Sequence, residues 1–131
     1  MRVAIVTESF LPSVNGVTNS VVQVNKQLRA AGHDVRIFAP EVEGLISNID
    51  GTRVHPLPAL NLQKHLPIAL PNLVIEGELR SFRPDVVHLA SPALMGAQAQ
   101  KISAKHGIPT VAIYQTDFVG FAEHYRMSFA K

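Results

Sequence analysis

Short polar segments that directly follow apolar runs hold the residues of this sequence best suited to chemistry. The first runs from Glu8 to Gly16 and ends in the pair Asn15-Gly16, immediately before a helical stripe that begins at Val17. Backbone N–H groups at a helix start, together with the positive end of the helix dipole, suit a phosphate group. Because Gly16 has no Cβ, a ligand can approach the backbone closely there. Asn15, Gly16 and Val17 are therefore a candidate phosphate site, although an ordinary strand-to-helix turn has the same residue types.

Polar side chains also follow two later apolar runs. Gln115, Thr116 and Asp117 come directly after one of them, and His88 lies at the end of the other. In an open α/β sheet, ligands bind beyond the carboxyl ends of the strands, where these side chains and Glu8 would project. Asp117 can accept a proton or hold a hydroxyl, and it can equally cap a following helix. Glu8 can hold hydroxyls or lie in a solvated loop.

Several function classes are excluded by motifs that the sequence lacks. It has no cysteine and no H-E-x-x-H pair, and its histidines are scattered over different predicted elements, so we predict no metal site and no cofactor. The dinucleotide fingerprint G-x-G-x-x-G, the P-loop and the G-x-S-x-G elbow are absent, which argues against a simple NAD dehydrogenase, an NTPase or a serine hydrolase. Twelve Lys and Arg against ten Asp and Glu, without a basic block, argue against nucleic-acid binding.

The elements that would position these residues alternate between strands and helices. β-Branched apolar runs predict strands, and apolar residues spaced three and four apart predict helices. Gly32 and Gly107 stand where helix C-caps are expected, and Pro84 should end a helix at Arg83. This alternation predicts an α/β fold with a Rossmann-like open parallel sheet and helices on both faces. The predicted strands are 3–6, 34–39, 53–57 at a sheet edge, 85–89 and 108–114; the predicted helices are 17–31, 72–83 capped by Asn72, 91–106 and 118–129, with a loop at 40–52.

Length and composition predict one folded domain. The chain has 131 residues, 47% hydrophobic and 17% charged, with a formal net charge of +2, which is unlike a disordered chain. No apolar run is long enough for a secretory leader or a membrane span, which predicts a cytoplasmic protein that is soluble or peripheral. The final stripe of Phe118, Phe121, Tyr125 and Phe129 needs a covering surface. We therefore expect residues 1–131 to be a truncated N-terminal domain.

Three longer segments resemble one family of enzymes. They are MRVAIVTESFLPSVNGVTNSVVQVNKQLRAAGHDVRIFAP, RPDVVHLASPALMG and GIPTVAIYQTDFVGFAEHY. Together they resemble the two-domain retaining glycosyltransferases of the GT-B type in the large fourth family. In those enzymes a G-H-[DE]-V turn, here Gly32-His33-Asp34-Val35, leads from the first helix into the second strand. Within the family, the segments look like the GDP-mannose-dependent α-mannosyltransferases that act on glycolipid acceptors.

The resemblance implies roles for the candidate residues. In such enzymes the N-terminal domain binds most of the acceptor and a C-terminal domain binds most of the sugar nucleotide, so this chain would lack its donor-binding domain. Many members have two adjacent glycines where this chain has Asn15-Gly16, and many have a histidine where it has Gln115 or Thr116. The resemblance implies that the donor diphosphate is bound by Asn15, Gly16 and Val17. It implies that the acceptor or sugar is bound by Glu8, His88, Gln115 and Thr116, and that Asp117 is catalytic.

The resemblance also implies a reaction and its surroundings. Mannose would pass from GDP-mannose to a glycolipid or polyprenyl lipid-linked acceptor with retention, and the leaving diphosphate would help to deprotonate the acceptor hydroxyl. The proline-broken segment 57–70, with apolar residues around Lys64 and His65, would then lie near the acceptor's lipid and aid membrane attachment. Those apolar residues can equally form a small cluster packed under the loop. A UDP-sugar-dependent glycolipid glycosyltransferase and a non-catalytic module that binds a phosphorylated small molecule are the alternatives.

Overall fold

The computed structural model describes residues 1–57, 70–90 and 94–112, which contain a six-stranded sheet. Its strands are β1 (Arg2–Val6), β2 (Asp34–Pro40), β3 (Asn48–Ile49), β4 (Thr52–Leu57), β5 (Val86–Leu89) and β6 (Thr110–Ala112). They lie in the order β3-β4-β2-β1-β5-β6. All neighbouring pairs are parallel except the antiparallel pair β3–β4. The predicted α/β class with a parallel sheet is therefore confirmed.

Helices cover both faces of this sheet. They are α1 (Gly16–Ala30), α2 (Leu70–Phe82) and α3 (Leu94–Lys105). On one face, Ile5 and Ile37 of the central strands pack with Val21 of α1. On the other face, a second core cluster joins the sheet to α2 and α3 through residues such as Val6, Phe38, Leu79 and Ile102. Both clusters are buried, so the sheet is apolar on each side, as parallel sheets are.

Two glycines end helices as the sequence predicts. Gly32 after α1 has a φ of 90°, and Gly107 after α3 has a φ of 71°, both in the left-handed region that favours glycine. The N–H of His33 donates to the Leu28 carbonyl (3.0 Å), and that of Ile108 donates to the Ser103 carbonyl (2.8 Å). These bonds are the 6→1 pairs of a Schellman motif, which satisfies the last carbonyls of each helix.

One predicted N-cap and one predicted loop differ from the structure, and several other element ends lie one or two residues from their predicted positions, such as the start of β6 at Thr110. α2 begins at Leu70, so Asn72 lies inside the helix and is not its N-cap. The predicted loop 40–52 contains β3, which turns back onto β4 through Asp50-Gly51, where φ is 51° and 86°. Positive φ at both central residues defines a two-residue hairpin turn of the type that Asp-Gly favours. β4 is consequently not the edge strand over its whole length.

The remaining predicted elements lie outside the described residues. These are the helix start at Ser91-Pro92, the end of the last strand at 113–114, the final helix 118–129 and most of segment 57–70. None of the helices in the described ranges combines the length and the apolar character that a membrane span requires.

Candidate functional site

The carboxyl ends of the central strands open onto one edge of the sheet. The N–H of Thr7, just past β1, donates to the Phe38 carbonyl of β2 (3.0 Å). The N–H of Ala90, just past β5, donates to the Val6 carbonyl of β1 (2.9 Å). The chain after β1, β2 and β5 therefore leaves the sheet at the same edge, where ligands bind in open α/β folds.

The start of α1 carries backbone donors that have no acceptor among the described residues. Asn15 is the N-cap, and its Oδ1 accepts from the N–H of Thr18 (2.9 Å). The N–H groups of Gly16 and Val17 donate to no acceptor within the described part of the chain. A Cβ added to Gly16 would have no atom within 4 Å other than those of its chain neighbours and of the backbone of its own helix. The φ of Gly16 lies outside the left-handed region. Space above this helix start, rather than backbone conformation, is what glycine provides here.

Hydrogen bonds among side chains fix the loop that precedes α1. The hydroxyl of Thr7 donates to the Ser9 carbonyl (2.7 Å) and accepts from the Ser9 N–H (3.3 Å). The amide Nδ2 of Asn15 donates to the Ser9 hydroxyl (2.8 Å), which lies 3.4 Å from the hydroxyl of Thr18. Thr7 and Thr18 are fully buried. The helix start is therefore tied to the end of β1 by a continuous chain of polar contacts.

The carboxylate of Glu8 lies at the first turn of a different helix, α3. Its carboxylate Oε2 accepts from the N–H of Gly96 (3.1 Å) and from the N–H of Met95, both at the start of α3. Burial raises the pKa of this carboxyl, and the two backbone N–H groups partly offset that rise. Glu8 is thus not a freely solvated loop carboxylate. Its role in sugar binding stays a prediction.

The loops after β1 and β2 enclose a shallow depression at this edge. It holds about 290 Å³ of space, counted out to the open solvent. Its polar side is formed by the segment Glu8–Ser13, and its apolar side by residues of the loop after β2. The lining includes Glu8, Ser9, Phe10, Ser13, Val42 and Leu45. Mixed polar and apolar walls of this kind suit a ligand that carries hydroxyls on an apolar frame.

His88 lies on a face of the sheet and not in the depression. β5 places it between Ile5 of β1 and Val111 of β6, on the face where Ile5 packs against α1. It is only 7% exposed, and its Nε2 has no hydrogen-bond partner within the part of the chain that the structure describes. Burial lowers the pKa of this imidazole, so the neutral form is favoured. The predicted sugar contact at His88 stays a prediction.

The structure brings together only part of the predicted site. Asn15, Gly16 and Val17 form one exposed helix start, and Glu8 lies in the loop that leads to it. Gln115, Thr116 and Asp117 lie outside the described residues. The sequence analysis did not identify Thr7, Ser9 and Thr18 as residues that hold the site together. Thr7 and Ser9 are two positions apart, and Ser9 and Thr18 are nine positions apart, and neither spacing belongs to a familiar motif.

Acidic and histidine side chains elsewhere form pairs rather than a metal cage. His55 of β4 pairs with Glu78 of α2, and Glu76 of α2 bonds Lys105 and His106 beside α3. Within residues 1–57, 70–90 and 94–112, no three His, Asp or Glu side chains converge as metal ligands would. The absence of a metal requirement stays a prediction.

The sheet order and the helix start at its carboxyl edge define a Rossmann-like α/β domain. The Glycosyltransferase Family 4 model matches residues 14–131. The chain therefore belongs to glycosyltransferase family 4.

Two curated relatives carry the same description. The chain is 50% identical over 136 aligned positions to the GDP-mannose-dependent alpha-mannosyltransferase of Mycolicibacterium smegmatis, covering 99% of this chain and 36% of that protein. It is 49% identical to the protein of the same name from Mycobacterium tuberculosis, covering 95% of this chain and 35% of that protein. The chain thus spans about a third of the length of these relatives.

A solved structure supports the fold assignment. The glycosyltransferase VinC, in complex with DTDP, superposes with a TM-score of 0.61 at 17% identity, over 86% of this chain and 34% of VinC. At that identity the similarity concerns the fold alone. The described sheet and helices are thus of the type found in GT-B glycosyltransferases.

Proposed function

We propose that this chain is the acceptor-side N-terminal domain of a retaining mannosyltransferase that uses GDP-mannose. The observation that carries the proposal is the start of α1, where the N–H groups of Gly16 and Val17 have no acceptor among the described residues and a side chain at position 16 would meet open space. The names of the relatives, at 49–50% identity, favour GDP-mannose as the donor. A second, donor-binding domain would complete the cleft, in keeping with the greater length of those relatives.

The two helix starts near the first loop differ in what they can bind. The first turn of α3 already holds the carboxylate of Glu8, which satisfies the N–H groups of Met95 and Gly96. A second anion there would meet that negative charge. Among the described residues, the first turn of α1 holds no acidic side chain, and its N-cap carboxamide is neutral. A diphosphate would therefore bind at α1 in preference to α3.

The chemistry that this site supports is stabilisation of the leaving group. Negative charge builds up on the donor diphosphate as the glycosidic bond breaks, and oriented N–H donors stabilise that charge without rearranging. In a front-face retaining reaction, the same diphosphate helps to remove the acceptor hydroxyl proton. Asp117 is the proposed catalytic side chain. Glu8, His88, Gln115 and Thr116 are the proposed acceptor or sugar contacts, and no metal or cofactor is required.

The proposed acceptor is a glycolipid or polyprenyl lipid-linked sugar at the inner face of the plasma membrane. Apart from Leu57, whose side chain is buried in the core, the apolar residues of segment 57–70 would touch that lipid, with Lys64 near anionic headgroups. The double variant Lys64→Glu with Leu66→Ser should bind anionic liposomes more weakly than the parent does. Equal partitioning of the two proteins between vesicles and buffer would remove the membrane role and leave the donor proposal intact.

Donor assays test the proposed function directly. The full-length protein should transfer a hexose from GDP-mannose to a lipid extract, with the product detected by mass spectrometry, and UDP-sugars should be poor donors. Residues 1–131 alone should transfer no hexose, because they do not include the proposed donor-binding domain that would form the other side of the cleft. Preference for a UDP-sugar would overturn the donor assignment. Binding of a phosphorylated small molecule without turnover would favour a non-catalytic module.

A further inference from the structure

We propose that Ser9 is a positioning residue that orients the N-cap Asn15, so that the first two N–H groups of α1 stay open for the donor diphosphate. The inference rests on the proposed function and adds a residue outside the glycine loop itself. Its basis is the 2.8 Å hydrogen bond between Asn15 Nδ2 and the Ser9 hydroxyl.

The orientation of the Asn15 carboxamide follows from its partners. The backbone N–H of Thr18 can only donate, so the Asn15 atom 2.9 Å from it must be the acceptor Oδ1. The other end of the amide is then the donor Nδ2, and the Ser9 hydroxyl oxygen must accept from it. The hydroxyl proton of Ser9 stays available for another acceptor. A single assignment therefore satisfies both contacts.

Ser9 itself is held firmly in place. Its N–H and carbonyl are both engaged by the hydroxyl of Thr7, which is fully buried at the end of β1. Its own hydroxyl lies 3.4 Å from that of Thr18, another fully buried residue. Asn15, in contrast, is exposed and has extended backbone, with φ of −156° and ψ of −179°. The Ser9 hydroxyl, carried on this anchored backbone, thus favours one orientation of the exposed Asn15 side chain.

The consequence concerns which N–H the N-cap occupies. An N-cap side chain can accept from the second or the third residue of a helix. In α1 these are Val17 and Thr18, and the bond observed is to Thr18. Without the Ser9 contact, Asn15 Oδ1 can turn to the Val17 N–H and compete with the diphosphate. Ser9 therefore acts on donor binding through Asn15, without touching the ligand.

A double-mutant cycle on the full-length protein tests this coupling, with GDP as the probe and titration calorimetry as the measurement. Ser9→Ala should weaken GDP binding about two- to tenfold, the worth of one neutral hydrogen bond. The KM for GDP-mannose should rise by a similar factor while kcat changes little. Asn15→Gly keeps an acceptable N-cap residue and removes the side chain that Ser9 orients, so its own GDP affinity is the reference for the second half of the cycle. In that background Ser9→Ala should have no further effect.

The controls separate positioning from a general structural role. Ser47→Ala changes an exposed hydroxyl in the loop after β2, outside the depression, and should leave GDP affinity unchanged. Ser9→Thr keeps the hydroxyl and should retain the parental affinity. Equal weakening by Ser9→Ala in the parent and in the Asn15→Gly background would overturn the inference. Unchanged GDP affinity in a folded Ser9→Ala protein would overturn it too. If Ser9→Ala unfolds, Asn15→Ser takes its place, because it keeps an N-cap oxygen but loses the amide that donates to Ser9; unchanged GDP affinity in that variant overturns the inference.

The inference and the proposed function fail in different ways. If the parent transfers mannose and binds GDP but Ser9→Ala is silent, only the inference fails. If the parent binds UDP and not GDP, the donor proposal fails, and the same cycle is measured with UDP. A parent that binds neither nucleotide contradicts both.

Discussion

The carboxylate of Glu8 and the backbone N–H of Gly96 are joined by a 3.1 Å hydrogen bond that links the loop after β1 to the first turn of α3. The same carboxylate oxygen also accepts from the N–H of Met95. A negative charge at a helix start satisfies unpaired N–H groups and complements the helix dipole. Glu8 therefore stabilises the carboxyl edge from within, and the sequence separation of 88 residues makes this a tertiary contact.

Removal of this contact should destabilise the protein. We predict that Glu8→Ala lowers the free energy of unfolding by about 1–2 kcal/mol, the usual cost of losing a helix N-cap. Urea denaturation followed by circular dichroism measures the change. Glu43→Ala, at an exposed position of the loop after β2, is the matched control and should change stability by less than about 0.5 kcal/mol. Equal effects of the two substitutions would contradict the capping role of Glu8.

The ionisation of Glu8 should leave a signature in the pH dependence of stability. Burial raises its pKa above the ordinary value of 4.5, so the folded state holds the proton more tightly than the unfolded state. Stability from this group is therefore lost as pH rises from about 4.5 through the raised pKa. Glu8→Gln keeps an acceptor oxygen and does not titrate. Its stability relative to the parent should increase across that window in urea titrations, and a constant or decreasing difference would contradict the raised pKa.

His88 should give the opposite dependence. Burial lowers the pKa of its imidazole below 6.5, so the unfolded state binds the proton more readily. Stability is then lost as pH falls from about 6.5 through the lowered pKa. The non-titrating variant His88→Leu should lose less stability between pH 7.5 and pH 5.5 than the parent does. The pKa of His55 is also lowered, mainly by burial, so part of the loss should persist. Identical losses in both proteins would exclude His88 as a contributor.

Local signals in the sequence predicted most of the described fold, because periodicity and caps act over a few residues. Gly32 and Gly107 ended helices where expected, and the strand–helix alternation gave the parallel sheet. β3 was missed because two residues carry no period. The turn Asp50-Gly51 forms its hairpin, and Asn25 Nδ2 of α1 contacts the Ile49 carbonyl at 3.5 Å, a long-range contact that no local pattern contains.

The site was predictable to a lesser extent for the same reason. The start of α1 could be located from the sequence, because the pair Asn15-Gly16 and the helical stripe that begins at Val17 are adjacent. The partners of Glu8 and Ser9 depend on how the first loop folds against α1 and α3. The position of His88 on the α1 face required the register between β1 and β5, which pairs it with Ile5.

Gly16 offers a substitution that affects a ligand more than the fold. A Cβ at this position would contact only its chain neighbours and the backbone of its own helix within 4 Å, and the φ of Gly16 is not in the left-handed region. Gly16 is exposed and is the first residue of α1, so adding a side chain there breaks no hydrogen bond within the helix. A larger residue is therefore compatible with the folded chain, but it would fill the space through which a diphosphate reaches the N–H groups of Gly16 and Val17.

We predict that Gly16→Val in the full-length protein lowers kcat/KM for GDP-mannose by at least about tenfold. Loss of one charge-assisted hydrogen bond to the diphosphate costs about 1.5–3 kcal/mol, or roughly 10- to 150-fold. Steady-state kinetics with varied donor measures the change, and thermal denaturation shows whether the variant is folded. Ser47→Ala, at an exposed position of the loop after β2, should change kcat/KM by less than about twofold, because Ser47 lies outside the start of α1 and is not among the residues that line the depression. If Gly16→Val is folded and keeps parental donor kinetics, the start of α1 is an ordinary turn and the diphosphate binds elsewhere.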